Sequence, residues 1–320
     1  MPHKGCPNQC SFCNQKSISG QLNELTPDDV HQAVKKAMEN PGLKNAEIAF
    51  FGGSFTAIER DYMLSLLQPA AQYIDFDKFK GIRISTRPDC IDDEICQILK
   101  DNKVTAVELG AQSMNDEVLR LNHRGHTSRD VENAVKMLRS YGFETGLQMM
   151  TGLYGSDENE SLETGKRFIE LLPDTVRIYP TVVLRNTHLA ELYEKGEYSP
   201  QTVEQAVEIC SKLLLMFSQA GIRVIRVGLH SGGNVEEGFV AGAYHPAFKE
   251  LCESRIYLNK ILDELKNKAV TQATVYVPKG ATSQAVGQKK QNLKLLGEKG
   301  YNLTVKENLD LEKYQVIIKE

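Results

Sequence analysis

The sequence predicts an α/β fold in which a parallel sheet is wrapped by helices, either open or closed as a barrel. Short apolar runs alternate with stretches of helical periodicity along most of the 320 residues, as repeated strand and helix units do. Polar or glycine-containing turns follow several of these runs, and in such folds chemistry gathers at the C-terminal strand ends. The length suits one barrel-sized domain or a barrel with an appendage.

The first predicted element is a helix from about residue 26 to 39. Thr26 supplies a hydroxyl cap, Pro27 suits the first turn, and Asp28 and Asp29 add early acidic charge. Apolar residues then share one helix face: Val30, Ala33, Val34, Ala37 and Met38.

Strand-like runs follow, separated by helical stretches. They lie near residues 46–51, 81–86, 104–109, 144–150, 174–179 and 222–227. After about residue 265 the pattern changes to strand, helix, helix, strand, with strand-like runs at 273–277 and 301–305. We therefore divide the chain into residues 1–265, a barrel with a helical extension, and residues 266–320, a small separate module.

The composition is that of a globular protein. Hydrophobic residues make up 41% and charged residues 25%, which argues against a disordered or a membrane protein. No apolar run approaches the ~20 residues of a membrane span, and the stretch from Met1 to Gly5 lacks the apolar run of a secretory signal. We therefore expect a cytoplasmic protein with no membrane partner, whose seven cysteines are thiols.

Charge is distributed unevenly along the chain. The net charge is −4, yet residues 266–320 hold 10 Lys and 5 acidic residues, so the tail is basic and the remainder acidic. The basic tail allows two interpretations, a solvated lysine-rich surface or a patch that binds a polyanion.

Cys6, Cys10 and Cys13 form a C-x3-C-x2-C motif on a loop rich in Gly, Pro, Asn and Ser. Such a loop can wrap three thiolates around one 4Fe-4S cubane. A fully protein-ligated cluster uses four cysteines, so three leave one iron open to an exogenous chelator. The alternative is a structural zinc site with His3 as the fourth ligand.

The loop GCPNQCSFC, with Phe12 before its third cysteine, resembles the cluster loop of the radical S-adenosylmethionine (SAM) superfamily. The resemblance covers roughly residues 6–230 and extends to the radical SAM domain of the Elongator catalytic subunit, in the tRNA-modifying branch. Its motifs are FFGGSFT, STRPDCI, ELGAQSMNDEVLRLNHRGHT, GLQMMTGLYG and RIYPTVVLRNTHLAELYEKGEY. It implies a partial TIM-like (βα)6 barrel, with SAM on the open iron through its amino and carboxylate groups.

The resemblance also implies which residues contact SAM. Gly52 and Gly53 match the glycine pair that receives the methionine amine, although a tight turn alone also explains such a pair. Polar residues after successive strands match positions that point toward SAM in relatives: Ser85, Arg87, Gln112 and Gln148. Each alone is more often a satisfied strand-end residue, and their common register favours the cofactor interpretation.

Other polar residues of the motifs have less definite roles. Glu108, alone among apolar neighbours, either contacts SAM or pairs with a barrel arginine. The residues that this branch shares and that are candidates for facing substrate or SAM are Arg124, His126, Tyr179 and Arg185.

The remaining cysteines are expected to be structural. Cys210 shares a helix face with apolar residues and is predicted to lie in the core. Cys90, Cys96 and Cys252 have no spacing that indicates a second cluster.

Two departures from the family pattern matter. The cysteine loop starts at residue 6, which leaves no room for the barrel strand that normally precedes it. We therefore expect a barrel lacking that strand, unless the chain begins late. This sequence has no segment that resembles the acetyltransferase domain of the Elongator subunit, so we do not expect the Elongator product from it.

The segment ATVYVPKGATSQAVGQKKQNLKLLGEKGYNLTV resembles a KH RNA-binding core. KH modules clamp about four nucleotides with a G-x-x-G loop. The turn here, Gly287-Gln288-Lys289-Lys290, lacks the second glycine, and Lys289, Lys290 and Lys294 are expected to compensate by charge. The alternative is a small structural cap on the barrel.

These features predict a radical SAM enzyme whose reduced 4Fe-4S cluster cleaves SAM to methionine and a 5′-deoxyadenosyl radical. The radical would abstract hydrogen from RNA, either tRNA or rRNA, with electrons from a donor such as ferredoxin or flavodoxin. Two alternatives stay open. One is a radical SAM enzyme acting on a small metabolite such as a porphyrinogen, and the other is a non-catalytic RNA-binding cluster protein.

Overall fold

The computed structural model describes residues 6, 9–14, 24–75, 77–229, 233–266, 268 and 270–319. Its strands are β1 (Ala46–Phe50), β2 (Phe79–Thr86), β3 (Val104–Gln112), β4 (Glu144–Thr151), β5 (Thr175–Pro180), β6 (Val182–Leu184), β7 (Arg223–Val227), β8 (Phe239–Gly242), β9 (Gln272–Pro278), β10 (Asn302–Asn308) and β11 (Ile317–Lys319).

Helices connect most of these strands. They are α1 (Pro27–Met38), α2 (Arg60–Ala71), α3 (Asp93–Asp101), α4 (Asp116–Leu121), α5 (Ser128–Ser140), α6 (Glu158–Leu171), α7 (His188–Glu194), α8 (Val203–Gln219), α9 (Gly233–Gly238), α10 (Phe248–Leu265), α11 (Thr282–Val286) and α12 (Gln291–Glu298). Within the described ranges, none of these helices has the length and apolar character to cross a membrane. The predicted start of α1 is confirmed, because Thr26 and Asp29 cap each other's backbone.

The main sheet contains six parallel strands in the order β1-β2-β3-β4-β5-β7. It curls into a half-barrel, which confirms the predicted partial TIM-like barrel and all six of its strand-like runs. The expectation about a strand ahead of the cysteine loop falls on residues 1–5, which lie outside the described residues.

The two faces of the half-barrel differ in character. On β2, Ile82 and Ile84 are fully buried among the apolar residues of the core. Alternation places Arg83 and Ser85 on the opposite, concave face. The hydrophobic core therefore lies between sheet and helices, and the concave face is left for polar chemistry.

A two-stranded antiparallel ribbon of β6 and β8 lies beside the half-barrel and was not predicted. Together with α7 it forms a second, smaller apolar cluster, which includes Val183, Leu189 and Tyr198. Phe12 of the cysteine loop packs against this cluster, so the ribbon and α7 support the loop.

The tail forms a three-stranded sheet, the tail sheet, in the order β10-β9-β11. Strands β9 and β10 are parallel, and the unpredicted β11 pairs antiparallel with β9. Val275, Leu296 and Leu303 belong to the same hydrophobic cluster as the barrel core. α10 ends at Leu265, where we drew the domain boundary; the division into two domains stays a prediction.

Candidate active site

The cysteine loop is fastened at Ser11, which is fully buried between Cys10 and Cys13. Its hydroxyl donates to Asn122 Oδ1 at 2.7 Å and its backbone N–H donates to the Asn122 carbonyl at 3.1 Å. The Ser11 carbonyl accepts from Leu189 N at 2.7 Å, at the start of α7. Every backbone group of this residue is therefore bonded, and the loop is held from two sides.

Asn122 is the centre of this attachment. It is fully buried, and its Nδ2 donates to the carbonyls of Val118 and Tyr154 at 2.8 Å each. Because these two bonds use both hydrogens of Nδ2, the amide is held in one orientation, with Oδ1 toward Ser11. This orientation defines one position for the loop.

Arg124 contacts one of the predicted cluster ligands. Its Nη1 donates to Cys10 Sγ at 3.1 Å, and both side chains are buried. Its Nη2 donates to the Gly110 carbonyl on β3, while Arg87 Nη2 donates to the Arg124 carbonyl. We expected Arg124 to be a candidate for facing substrate or SAM, and the structure places its guanidinium on the cysteine loop.

Arg87, predicted to contact SAM, is held by Asp89. Its Nε donates to Asp89 Oδ1 at 2.9 Å and its Nη2 to Oδ2 at 2.8 Å. Burial acts to lower the pKa of Arg87, but the Asp89 carboxylate outweighs burial and the pKa is raised. Arg87 therefore carries a permanent charge beneath the Arg124 backbone.

The glycine pair lies next to the same loop. Ser54, which follows Gly53, has its Oγ 3.5 Å from Cys6 Sγ. Gly52 is exposed and has φ of 125°, a conformation that glycine adopts without strain. The turn after β1 therefore brings open backbone close to Cys6.

Gln112 ends β3 with an unpaired acceptor. It is buried, has φ of 68°, and its Oε1 has no hydrogen-bond partner among the described residues. A buried polar atom without a partner is uncommon and indicates a missing ligand or water. The Gln112 amide and the Arg124 guanidinium flank Gly110, where an added Cβ would lie 3.0 Å from Gln112 Nε2.

Ser85, Gln148 and Tyr179 are half-buried on β2, β4 and β5. Alternation along each strand places them on the concave face with Arg83 and Arg177. The predicted SAM contacts are thus distributed over neighbouring strands of one face, and their contact with SAM stays a prediction.

A charge cluster covers the middle of the concave face. Arg83 binds Glu47 (Nε–Oε2 2.7 Å), Glu144 (Nη2–Oε1 2.9 Å) and Glu108 (Nη1–Oε1 3.4 Å). Arg177 also binds Glu108, with Nε and Oε2 2.5 Å apart. Of the two roles considered for Glu108, pairing with barrel arginines is the one that the structure shows.

Burial acts to lower the pKa of Arg83, but the carboxylates of Glu47 and Glu144 more than offset it and the pKa is raised. Sequence reasoning missed this arginine. The sequence did contain a signal for it, a single charged residue between two isoleucines in a buried strand. A similar pattern, a charged residue among apolar neighbours, singled out Glu108.

His126 is buried, with Nε2 3.1 Å from the Ala111 carbonyl and Nδ1 without a partner among the described residues. Burial, followed by the charges of Arg124 and Arg87, lowers the pKa of His126 to about 4. His126 is thus neutral at pH 7 and packs against the end of β3. Its role toward substrate or SAM stays a prediction.

The unfolding free energy should therefore depend on pH through His126. The unfolded histidine takes up a proton below its ordinary pKa of about 6.5, while the folded one stays neutral until about pH 4. The contribution of His126 to the free energy of unfolding is therefore fully present above pH 6.5. It decreases on acidification, by on the order of 3 kcal/mol at pH 4. Urea unfolding of wild type and His126→Asn between pH 7 and 4 measures this contribution. Parallel pH profiles of the two proteins would contradict the lowered pKa of His126.

The other cysteines are buried or half-buried. Cys210 is fully buried in the core, as predicted, and Cys96 and Cys252 are also buried. Burial raises the pKa of the Cys96 thiol to about 11, so this thiol is protonated and unreactive at neutral pH. Cys90 is half-buried, and burial followed by the charge of Asp89 raises its pKa.

The three motif cysteines fit a cluster in their chemistry. They are thiols on one loop, Cys10 is next to a fixed guanidinium, and Cys6 is next to the glycine turn. In the described part of the chain, no three Cys, His, Asp or Glu side chains lie close enough together to hold one metal ion. The assignment therefore depends on the loop sequence and on these contacts.

Residues predicted to bind RNA lie in the tail. Lys289, Lys290 and Lys294 are exposed, whereas Gly287 is buried. A Cβ at Gly287 would lie 3.0 Å from Ser254 Oγ on α10, so the glycine packs against the barrel extension. RNA binding by these four residues stays a prediction. Arg185 is exposed, and its carbonyl accepts from Asn14 of the cysteine loop.

Comparison with known families and proteins gives a consistent result. A model of the radical SAM superfamily matches residues 1–168, and a model of the radical SAM C-terminal domain matches residues 173–258. The tRNA uridine(34) acetyltransferase of Methanocaldococcus jannaschii is 40% identical over 186 residues, 52% of this chain and 34% of that protein. Elongator complex protein 3 of Homo sapiens is 30% identical over 195 residues, 54% of this chain and 36% of that protein.

A solved structure shares the fold. The archaeal Elp3 of Methanocaldococcus infernus, with an N-terminal deletion, superimposes with a TM-score of 0.62 at 24% identity, covering 72% of this chain and 57% of that one. The chain spans about a third of the length of the two curated relatives.

Proposed function

Because this chain belongs to the radical SAM superfamily, we propose that it is an enzyme that holds a 4Fe-4S cluster through Cys6, Cys10 and Cys13 and modifies RNA. When bound, the reduced cluster would supply the electron for reductive cleavage of SAM to methionine and a 5′-deoxyadenosyl radical, the species that would take a hydrogen atom from the substrate. The observation that carries the proposal is the buried hydrogen bond from Arg124 to Cys10, beside an open glycine turn.

The chain's own residues prepare the site for the cluster. Ser11 and Asn122 fix the loop, so the thiols are delivered in one arrangement. Arg124 offsets the negative charge of the Cys10 thiolate, and its burial strengthens the interaction because little water screens it.

SAM would lie on the concave face. Gly52 and Gly53 offer open backbone, and Gln112 Oε1 is an acceptor with no partner among the described residues. Ser85 and Gln148 line the same face and would complete the polar contacts, with Arg87 supporting the Arg124 backbone from below.

RNA as the substrate is supported by the relatives and by the tail. One matched protein is named as a tRNA uridine(34) acetyltransferase, and the match covers 52% of this chain. The basic tail, with exposed Lys289, Lys290 and Lys294, adds a surface that would attract a polyanion. Electrons would come from a small redox protein such as ferredoxin or flavodoxin.

The test is anaerobic reconstitution with iron and sulfide, followed by reduction with dithionite in the presence of SAM. We expect 5′-deoxyadenosine from wild type and none above background from Cys10→Ala. Cys96→Ala, which removes a buried thiol outside the motif, is the matched control and should retain the activity. Equal yields from wild type and Cys10→Ala would contradict the proposed chemistry.

The substrate is tested in the same assay. Addition of tRNA or rRNA transcripts should increase the yield of 5′-deoxyadenosine and leave a modified nucleoside detectable by mass spectrometry. Stimulation by a porphyrinogen or another small metabolite, with no effect of RNA, would contradict RNA as the substrate and leave the cluster chemistry standing.

A further inference from the structure

The two faces of the tail sheet have different environments. Val275 and Ile318 point into the core and are buried. The strand registers place the alternate residues together on the other face, because Thr304 pairs with Thr274 and Lys319 pairs with Thr274 from the other side. Eight residues of this outer face are Gln272, Thr274, Tyr276, Asn302, Thr304, Lys306, Ile317 and Lys319.

Tyr276 lies at the centre of the outer face. Its register partners are Lys306 on β10 and Ile317 on β11. The Lys319 ammonium is 5.5 Å from the centroid of the Tyr276 ring, within the range of a cation–π interaction. Lys306 and Lys319 are exposed, and none of the eight residues of this face is acidic, so its charge is purely positive.

An aromatic ring surrounded by lysines suits single-stranded nucleic acid. Bases stack on aromatic side chains regardless of sequence, and ammonium groups neutralise the phosphates on either side.

The turn at Gly287, where KH modules bind RNA, has no aromatic ring on which a base could stack. Gly287 packs against Ser254, and Asn292, which follows the turn, is buried with its Nδ2 donating to the Ser254 carbonyl at 3.0 Å. The helices of the tail therefore face the barrel extension, and the outer face of the tail sheet points away from it. The tail's one aromatic residue on an open sheet face is Tyr276, within the residues described.

We propose that the outer face of the tail sheet binds single-stranded RNA, with a base stacked on Tyr276 in place of the Lys319 ammonium, which then holds a neighbouring phosphate together with Lys306. The inference rests on the proposed function, since it assigns a surface to the RNA partner named there. It adds a stacking residue outside the turn that KH modules use.

The experiment measures binding of a fluorescein-labelled single-stranded RNA of mixed sequence to the full chain by anisotropy, over a series of salt concentrations. Tyr276→Ala should raise Kd by about 5- to 150-fold, and Tyr276→Phe should bind like wild type because the ring is kept. Lys306→Gln combined with Lys319→Gln should reduce the slope of log Kd against log salt by about 1.4.

Matched controls come from the barrel surface. Tyr193→Ala removes a tyrosine that is 39% exposed on α7, and Lys136→Gln removes an exposed lysine on α5. Both should bind RNA like wild type, and thermal melting of each variant reports folding. A binding loss in Tyr276→Ala with an unchanged melting temperature assigns stacking rather than a folding defect.

Two results would overturn the inference. One is equal RNA affinity of Tyr276→Ala and Tyr193→Ala, which would leave the outer face to a protein partner or to solvent. The other is absence of salt-dependent RNA affinity in wild type. Formation of 5′-deoxyadenosine by the same preparation would then show that the proposed SAM cleavage stands while the RNA-binding surface does not, because the outer face takes no part in SAM cleavage.

Discussion

Replacing Arg83 with methionine is expected to lower the free energy of unfolding by about 3–5 kcal/mol, the usual cost of removing one partner from a buried charge group. Arg83 binds Glu47, Glu108 and Glu144, and its side chain is only 8% exposed. Without its guanidinium, Glu108, which is 3% exposed, keeps Arg177 alone. The unfolding midpoint in urea, with its slope, measures the effect.

The matched control is Arg223→Met. Arg223 binds the same Glu144 carboxylate at 3.1 Å, but its side chain is 66% exposed, so water screens the pair and its loss should cost less than about 1 kcal/mol. Equal costs for Arg83→Met and Arg223→Met would contradict the importance of burial here.

Replacing Arg124 with glutamine is expected to lower the midpoint potential of the reconstituted cluster. A hydrogen bond to a ligand sulfur and a nearby positive charge both stabilise the reduced, more negative cluster. A charged hydrogen bond contributes about 1.5–3 kcal/mol, which for one electron corresponds to a shift on the order of 100 mV at most. EPR-monitored redox titration measures the potential, and iron content after exposure to a chelator measures cluster retention.

Arg120→Gln is the control for this prediction. Arg120 lies on α4, four residues before Arg124, but its side chain is 69% exposed and pairs with Glu117. Its replacement should leave potential and iron retention unchanged. The same potential in Arg124→Gln and Arg120→Gln would contradict a role for Arg124 at the cluster.

Much of the fold was predictable because its strands are long and buried. All six strands of the half-barrel appear in the sequence as short runs rich in apolar residues, since each strand packs apolar side chains against the helices on one face. The strands that were missed, β6, β8 and β11, contain three, four and three residues. Such lengths are too short for a period to emerge, and pairing with a distant strand decides their conformation.

The site was predictable in its motifs and not in its contacts. The cysteine spacing, the glycine pair and Gln112 stand out along the chain, whereas Ser11 and Asn122 are 111 residues apart and look like ordinary loop residues. Arg124 was singled out by its motif, but its hydrogen bond to Cys10 depends on how α4 and the loop meet. Contacts of this kind arise from tertiary packing, which local sequence patterns do not encode.

The attachment of Ser11 to Asn122 and Leu189 bears on how the protein would be repaired after oxygen damage. Ordering the backbone of one residue costs about 1–2 kcal/mol in entropy. If the loop were disordered, this cost would oppose each assembly of the cluster. In this protein the hydrogen bonds of Ser11 already order the loop between Cys10 and Cys13 when the chain folds, so the entropy cost belongs to folding. A molecule stripped of its iron would keep a template for the incoming metal, so that refilling resembles docking rather than refolding.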